Sequence, residues 1–394
     1  MWSDESRVML IDYEIHRDRK KFILEDKFSG DFYEMPLLAV VAIGCLSKRK
    51  TVKETEEYLK AKYPQEEVNM AEFINQLIEL NLITQIDDRV IHVRPVKRQN
   101  DGFLWIKKTF AMKFFNRFSR LFFCISFSCS VLLIILYPSL FPHYKDLFWS
   151  DIMLYNILIF SIVSLILVLI HEAGHVLAAR SFDIPVRLSL GHRLFFPVLE
   201  SDVSNLWKIP RENRNRVYLA GINFDIAILF LSFILQKFIF EDTEGLPYAL
   251  TAIINFNILV RIIYQCCFYM KTDLYYVVEN LTGRYNLMEE AKEYLKEIVT
   301  FPKKSKAAYG NTIKVYSVIY IIGTLISISL FLFYYIPQLA YAVKATWSKL
   351  YHPVSTLQFW DGMIFFIQLA LMVFILIFSW MRGLRNYLLR VKKV

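Results

Sequence analysis

Six long apolar runs constrain this chain before anything else does. They lie at about 121–140, 154–179, 217–239, 249–270, 313–338 and 360–380. Each approaches the roughly 20 residues an α-helix needs to cross a bilayer core. Lipid offers the backbone no hydrogen-bond partner, so open-chain spans of this length must be helical. The fold class that follows is an α-helical polytopic membrane protein of about six transmembrane helices. Composition agrees, with 55% hydrophobic, 16% aromatic and only 21% charged residues, against about a quarter charged in soluble domains. A purely soluble enzyme, a disordered chain and a fibrous repeat are excluded.

A net charge of +9 suggests nucleic acid until its distribution is read. Residues 1–100 hold sixteen Lys/Arg and eighteen Asp/Glu, so the positive excess lies wholly in residues 101–394. There it falls between the apolar runs. The loop after run two holds Arg180, Arg187, Arg193, Lys208, Arg211, Arg214 and Arg216. The loop after run four holds Lys271, Arg284, Lys292, Lys296, Lys303, Lys304 and Lys306. The opposite loops are poor in Lys and Arg. Cytoplasmic loops carry the basic excess, so both termini are expected in the cytoplasm of a multi-pass cell-membrane protein, with no nucleic-acid partner. Cys45, Cys124, Cys129, Cys266 and Cys267 lack CxxC spacing, so neither a disulfide framework nor a thiolate metal site is expected. Met1–Asp26 is charged throughout and does not read as a signal peptide.

Residues 1–95 read as a small α/β domain, 96–120 as a basic amphipathic linker, and 121–394 as the membrane core. Val8–Arg17, Lys21–Asp26 and Asp31–Met35 are strand-like. Pro36–Leu46 predicts a compact helix with proline in its first turn. Thr51-Val52-Lys53-Glu54 is a capping-box pattern opening a helix to about Tyr63. Asn69 caps a third helix whose apolar face includes Phe73 and Leu77. Ile83–Ile86 and Val90–Val93 read as a hairpin wing. The sum is a winged-helix-like domain. Its slightly acidic balance argues against DNA, and a purely structural cap is the alternative to a binding role.

The chemistry lies at the end of run two, in LVLIHEAGHVLAAR. His171 and His175 are four apart, so both imidazoles leave one helix face and can bind a single zinc ion. Glu172 is placed to act as general base on a zinc-activated water. Ala173 and Gly174 are small and allow close approach of another helix or of a substrate backbone. Two histidines and a glutamate at lipid depth are costly unless paired, metal-bound or facing a cavity. A third protein ligand is needed, and Asp273 at the cytoplasmic end of run four is the candidate. Runs two and four both pass from outside to inside, which brings the two motifs to one membrane level.

On these residues the chain resembles the site-2-protease family of intramembrane zinc metallopeptidases. HEAGH in a transmembrane helix matches that family's metal motif, and Asp273 matches the Asp of its N-x-x-P-x-x-x-x-D-G segment. FPVLESDVSNLWKIPRENRNRVYLAGINFDIAI is similar to the family's linker into the third span. The segment departs at Gln265, Phe268 and Leu274, where the family has Asn, Pro and Gly. The resemblance implies zinc on His171, His175 and Asp273, Glu172 as base, and Gln265 or Asn257 near the substrate or oxyanion. The N-terminal stretch resembles a PqqD-like leader-recognition domain, on KFILEDKFSGDFYEMP and TVKETEEYLKAKYPQEEVNMAEFINQLIELNLI. That likeness implies a leader-bearing precursor peptide docking along Phe32, Tyr33 and Glu34 with Phe73 and Leu77.

The function these resemblances imply is maturation of a ribosomally made peptide, bacteriocin-like, beside a modifying enzyme and an exporter. The alternatives are cleavage of a single-span regulatory protein and a non-catalytic peptide-binding partner in export or immunity. The sequence leaves homo-oligomerisation open. It also leaves two roles open for Asn223, Asp225, Asn255, Asn257 and Arg261, which are expensive in lipid. They line a path to the metal, or they tie helices together, for instance as an Asp225–Arg261 ion pair. His192 reads as a solvent-facing loop residue. Val186–Phe196 alternates weakly, as an edge hairpin that an extended substrate pairs with.

Overall fold

The computed structural model describes the chain except for residues 1, 19–20, 88, 92–101, 194–195, 242–244, 301–308 and 392–394. Two compact units emerge. One is Met1–Gly102 with Val203–Asn213, and the other is Phe103–Asp202 with Arg214–Val394.

In the first unit β1 (Val8–Leu10) pairs antiparallel with β5 (Ile83–Ile86), which pairs with β6 (Arg89–Val90). A second sheet runs β2 (Tyr13–Asp18), β3 (Lys21–Asp26), β4 (Phe32–Met35). The stretch expected as one strand, Val8–Arg17, is therefore two strands in two sheets. The register shifts between Met9 and Leu10, and the Ile11 amide donates to the Leu82 carbonyl, which turns the chain from one sheet to the other. Three helices follow: α1 (Leu37–Ser47), α2 (Val52–Lys62) and α3 (Met70–Glu79). Pro36 takes the cap position of α1 rather than its first turn. Thr51 and Glu54 form the expected capping box, and the Asn69 side chain accepts from the Glu72 amide. Leu24, Ile43, Leu46, Leu59, Ile74, Leu77 and Ile83 make a continuous core. Part of the expected wing, residues 88 and 92–93, lies outside the described residues.

Val203–Asn213 belongs to this unit although it follows the membrane hairpin in sequence. Lys208 Nζ lies 2.6 Å from Glu25 Oε1, and His16 Nε2 lies 2.8 Å from Glu25 Oε2. Burial alone raises the Glu25 pKa, but the hydrogen bonds from Lys208 and His16 outweigh it and hold the carboxyl below its ordinary value.

The second unit is helical. After a short turn, α4 (Lys108–Ala111), six segments among the described residues are long and apolar enough to cross a membrane. They are α5 (Arg117–Leu136), α6 (Met153–Ser181), Ala220–Ile239, α9 (Leu246–Gln265), Asn311–Tyr351 and Leu357–Ile375. Asn116 caps α5 through the Phe118 and Ser119 amides, so Arg117 and Arg120 lie in the first span rather than in a linker. Between α6 and the third span stand the hairpin β7 (Arg187–Arg193) and β8 (Phe196–Asp202), then α7 (Arg211–Tyr218). The expected edge hairpin exists, and β8 extends it into the stretch read as linker. The third span begins as α8 (Ala220–Ile234) and ends in a π-turn. Beyond α9 come α10 (Asp273–Thr282) and α11 (Leu287–Thr300). The fifth span is one helical run, α12 (Asn311–Leu330) and α13 (Ile336–Trp347) joined by a π-turn. The last helix is α14 (Leu357–Val391).

The start of α6 is capped from far along the chain. Asp361 accepts from the Met153 and Leu154 amides, each at 2.8 Å, and from Lys349 Nζ at 2.6 Å. A carboxylate at a helix N-terminus satisfies orphan donors and complements the dipole. Its arrival from α14 ties the last span to the helix that carries HEAGH.

Candidate active site

The two histidines sit on a buried stretch of α6. His171, Glu172 and His175 are all buried, and one ligand atom from each lies within 4.8 Å of the others. Each imidazole is fixed through Nδ1. His175 Nδ1 donates to the Val217 carbonyl at 2.8 Å, and His171 Nδ1 meets Asp225 Oδ2 at 2.8 Å. A carbonyl only accepts, so Nδ1 of His175 carries the proton and Nε2 presents a lone pair. The same logic holds for His171 against the carboxylate.

Asp273 arrives from the start of α10. Its Oδ2 lies 3.1 Å from His171 Nε2 and 3.4 Å from His175 Nε2, and the two Nε2 atoms are 3.3 Å apart. Three lone-pair donors converge on one another, which is unfavourable unless a cation sits among them. Ligands on 2.0–2.1 Å bonds in a tetrahedron stand about 3.3 Å apart. The spacing thus fits a zinc-sized ion with a fourth position open, and the donor set of two imidazoles and one carboxylate suits zinc.

Gly221 on α8 faces this triangle. A Cβ there would stand 2.4 Å from His171 Nε2 and 2.6 Å from His175 Nε2. Gly174 allows the same helix pair to close, because its Cβ would meet the Ala220 carbonyl oxygen at 2.9 Å. The expected close approach at Gly174 is between α6 and α8.

The segment that departs from the family pattern still breaks the helix. α9 stops at Gln265, Phe268–Met270 forms a single 3₁₀ turn, and Lys271 adopts a left-handed conformation with φ 51°. A non-glycine residue thus supplies the positive φ at this break. Leu274 becomes the second residue of α10. Gln265 grips Asp273 with both amide atoms: Nε2 donates to Oδ2 at 2.8 Å, and Oε1 accepts from the Asp273 backbone amide at 3.0 Å. It therefore clamps the carboxylate, and the second N–H of its amide is left over from that clamp. Asn257 accepts from Ser164 at 2.7 Å and donates to the Ile253 carbonyl, joining α9 to α6 two turns before His171. Asn255 donates to Gln236 at 2.5 Å.

Asp225 and Arg261 do form the ion pair, at 3.2 Å, and Arg261 also donates to the Leu167 carbonyl at 2.9 Å. Asp225 is 1% exposed. The pair is thus part of the metal-ligand support as well as a helix tie. Asn223 lines a groove between α5 and α8. The side chain of His192 lies outside the described residues.

Three features escaped sequence reasoning. Ser201 on β8 donates to Glu172 Oε2 at 2.7 Å. The Val217 carbonyl is a backbone atom and leaves no sequence trace. Gly221 was visible only as part of the family-like AG pair.

In the first unit, β4 is an edge strand, so Phe32, Tyr33 and Glu34 border an edge with no further strand among the described residues. Phe73 is partly buried against the core. Leu77 is 1% exposed and is a core residue, so it is not available for docking.

Together these features define a multi-pass membrane protein with a histidine–carboxylate site inside its helices. The family model of peptidase family M50 matches residues 159–386, more than half of the chain, and the chain belongs to that family. It is an intramembrane metalloprotease of the site-2-protease kind. No curated protein and no solved structure matches it.

Proposed function

We propose that the chain is a zinc-dependent endopeptidase that cleaves a leader-bearing, ribosomally made precursor peptide at the cytoplasmic side of the membrane. The observation that carries the catalytic part is the convergence of His171 Nε2, His175 Nε2 and Asp273 Oδ2 beside Glu172. These three residues would hold the zinc ion. When bound, the ion supplies Lewis acidity, acidifying water and polarising a carbonyl.

The chain's own residues do the rest. Glu172 takes a proton from the attacking water and returns it to the leaving amine nitrogen. Ser201 holds Oε2 of that carboxylate, so its other oxygen is aimed by a fixed neighbour. Asp225 and the Val217 carbonyl fix the two imidazole tautomers, and Gln265 fixes Asp273. The substrate must be extended, because a helix hides its carbonyls in its own hydrogen bonds. The hairpin β7–β8 offers strand edges for that purpose.

The substrate class rests on the PqqD-like resemblance of the first unit. Its edge strand β4, at Phe32–Glu34, together with the partly buried Phe73, suits an extended leader. Val203–Asn213 supports coupling between recruitment and cleavage. It packs with the first unit, yet it lies in sequence between Ser201, on Glu172, and Val217, on His175. Cytoplasmic termini follow from the basic loops and six spans. A modifying enzyme and an exporter are the partners this role implies.

The test is mass spectrometry of a precursor incubated with the full chain, with Glu172→Gln, and with a variant carrying charged residues on the β4 edge (Phe32→Asp/Tyr33→Asp). Loss of cleavage in Glu172→Gln and a raised KM in the edge variant support the proposal. Unchanged processing in Glu172→Gln removes the catalytic reading. Unchanged KM in the edge variant removes the leader reading alone.

A further inference from the structure

Spans one and three enclose a groove of about 530 Å³ that the catalytic chemistry leaves unused. Its volume lies within the range of specific small-molecule sites. It is walled by α5 on one side and by the end of α7 with α8 on the other. The groove lies on the face of α8 turned from the metal ligands: Gly221 and Asp225 point to the histidines, while Asn223 and Ile226 line the groove. Phe224 closes the contact between the helices, with its ring 6.3 Å from Phe115 and 6.0 Å from Phe123.

The lining is graded. Arg120, one turn into α5, and Arg216, one turn before α8, stand at the end where both helices begin. As first and third spans of an alternating bundle, the two helices run in the same direction. Both guanidinium groups are exposed, neither has an ion-pair partner among the described residues, and the groove lining contains no carboxylate. Further along lie Phe123, Phe127 and Ile226. Asn223, seven residues beyond Arg216, is half-buried, and its carboxamide makes no hydrogen bond among the described residues. An unpartnered amide inside a span is expensive unless something polar meets it.

We propose that this groove is a binding site for a phospholipid with an anionic headgroup. Arg120 and Arg216 take the headgroup phosphate, Asn223 donates to an ester carbonyl, and an acyl chain lies along Phe123, Phe127 and Ile226. The charge at the mouth selects the headgroup, and the apolar wall selects a lipid over a soluble phosphate. A free phosphate ester meets only the mouth and loses the wall. A peptide helix would place no regular anion between the two arginines. The site is independent of the protease reading, because none of its lining residues is a metal ligand or is hydrogen-bonded to one among the described residues.

The test is native mass spectrometry of the full-length protein in detergent, doped with equal amounts of dioleoyl phosphatidylglycerol and dioleoyl phosphatidylcholine. Wild type is expected to retain phosphatidylglycerol about thirtyfold more strongly, the weight of two basic side chains against an anionic group. Arg120→Gln/Arg216→Gln is expected to lose that preference, and Arg120→Lys/Arg216→Lys to keep most of it. Lys108→Gln/Lys113→Gln, which removes nearby charge outside the groove, is expected to change nothing. Phe127→Trp, which fills the groove, is expected to lower retention of both lipids, and millimolar glycerol phosphate is expected not to displace them. Equal retention of the two lipids by wild type overturns the proposal. So does a preference that survives the double Gln variant, or displacement by glycerol phosphate. A photocrosslinker at position 127 that captures a transmembrane peptide instead of lipid also overturns it, in favour of a substrate helix.

Discussion

Replacing Gly221 with alanine perturbs the site without touching a ligand, a base or a charge. The added Cβ would stand 2.4 Å from His171 Nε2 and 2.6 Å from His175 Nε2, where ordinary contact begins at 3.4 Å. The shortfalls are 1.0 Å (3.4 − 2.4) and 0.8 Å (3.4 − 2.6). The rings cannot swing freely to absorb them, because Nδ1 of each is held at 2.8 Å by Asp225 and by Val217. If α8 backs away instead, it opens its packing against Gly174 and pulls Asp225 off His171. The donors must therefore spread by most of an ångström. Breaking a ligand's supporting hydrogen bond costs about 10–100-fold in metal affinity, and a misplacement of about 1 Å costs on the order of 100-fold in rate. Gly221→Ala is expected to weaken zinc by at least tenfold in chelator competition and to lower kcat by about 100-fold at saturating metal. The thermal transition should stay near wild type, because no core contact is lost. Zinc affinity and kcat within threefold of wild type would refute the view that these three donors form the metal site.

Other perturbations separate the supporting parts. Asp225→Asn keeps the shape but removes the charge behind His171, and it should lower zinc affinity about 10–100-fold by the same competition assay. Ser201→Ala should lower kcat several-fold while leaving KM and zinc content unchanged, because only the aim of Glu172 is lost; a pure KM effect would argue for a substrate contact instead. Glu25 gives a pH signature in the first unit. Its folded pKa is depressed, so its contribution is present above the unfolded value of about 4.5 and is lost as pH falls through the folded pKa. Amide protection factors in β2 and β3, which divide out the pH dependence of intrinsic exchange, should therefore fall below about pH 4.5 in wild type, whereas Glu25→Gln should be weakened already at pH 7 and show a flatter profile.

The sequence is most readable where period and cost agree. HEAGH stands out because histidines and a glutamate are expensive in a span, and Asp273 follows because spans two and four end at one membrane level. Contacts set by helix rotation are less readable. Asp225 and Arg261 are visible as costly polar residues, but only the phase of α8 against α6 shows that Asp225 serves His171 as well as Arg261. Gln265 reads in the sequence as a substrate amide, and only the fold shows that both of its amide atoms also hold Asp273. Ser201 depends on hairpin register, and a one-residue slip would turn it to the other face. In the first unit, the caps Thr51 and Asn69 are local and fully legible. The split of Val8–Arg17 between two sheets depends on the distant partner β5, and the burial of Leu77 depends on where α3 lands. The helix break before Asp273 forms without proline or glycine, through a left-handed Lys271 that no local pattern announces.

The proposed hydrolysis requires His171, Glu172, His175 and Asp273 to form one metal centre. The most direct measurement pairs zinc content with peptide cleavage for purified wild type, Glu172→Gln and Asp273→Ala in the same membrane mimic. Expected are one zinc per chain with cleavage in wild type, one zinc without cleavage in Glu172→Gln, and loss of both in Asp273→Ala. Full zinc content and cleavage in Asp273→Ala, or undiminished cleavage in Glu172→Gln, would contradict it.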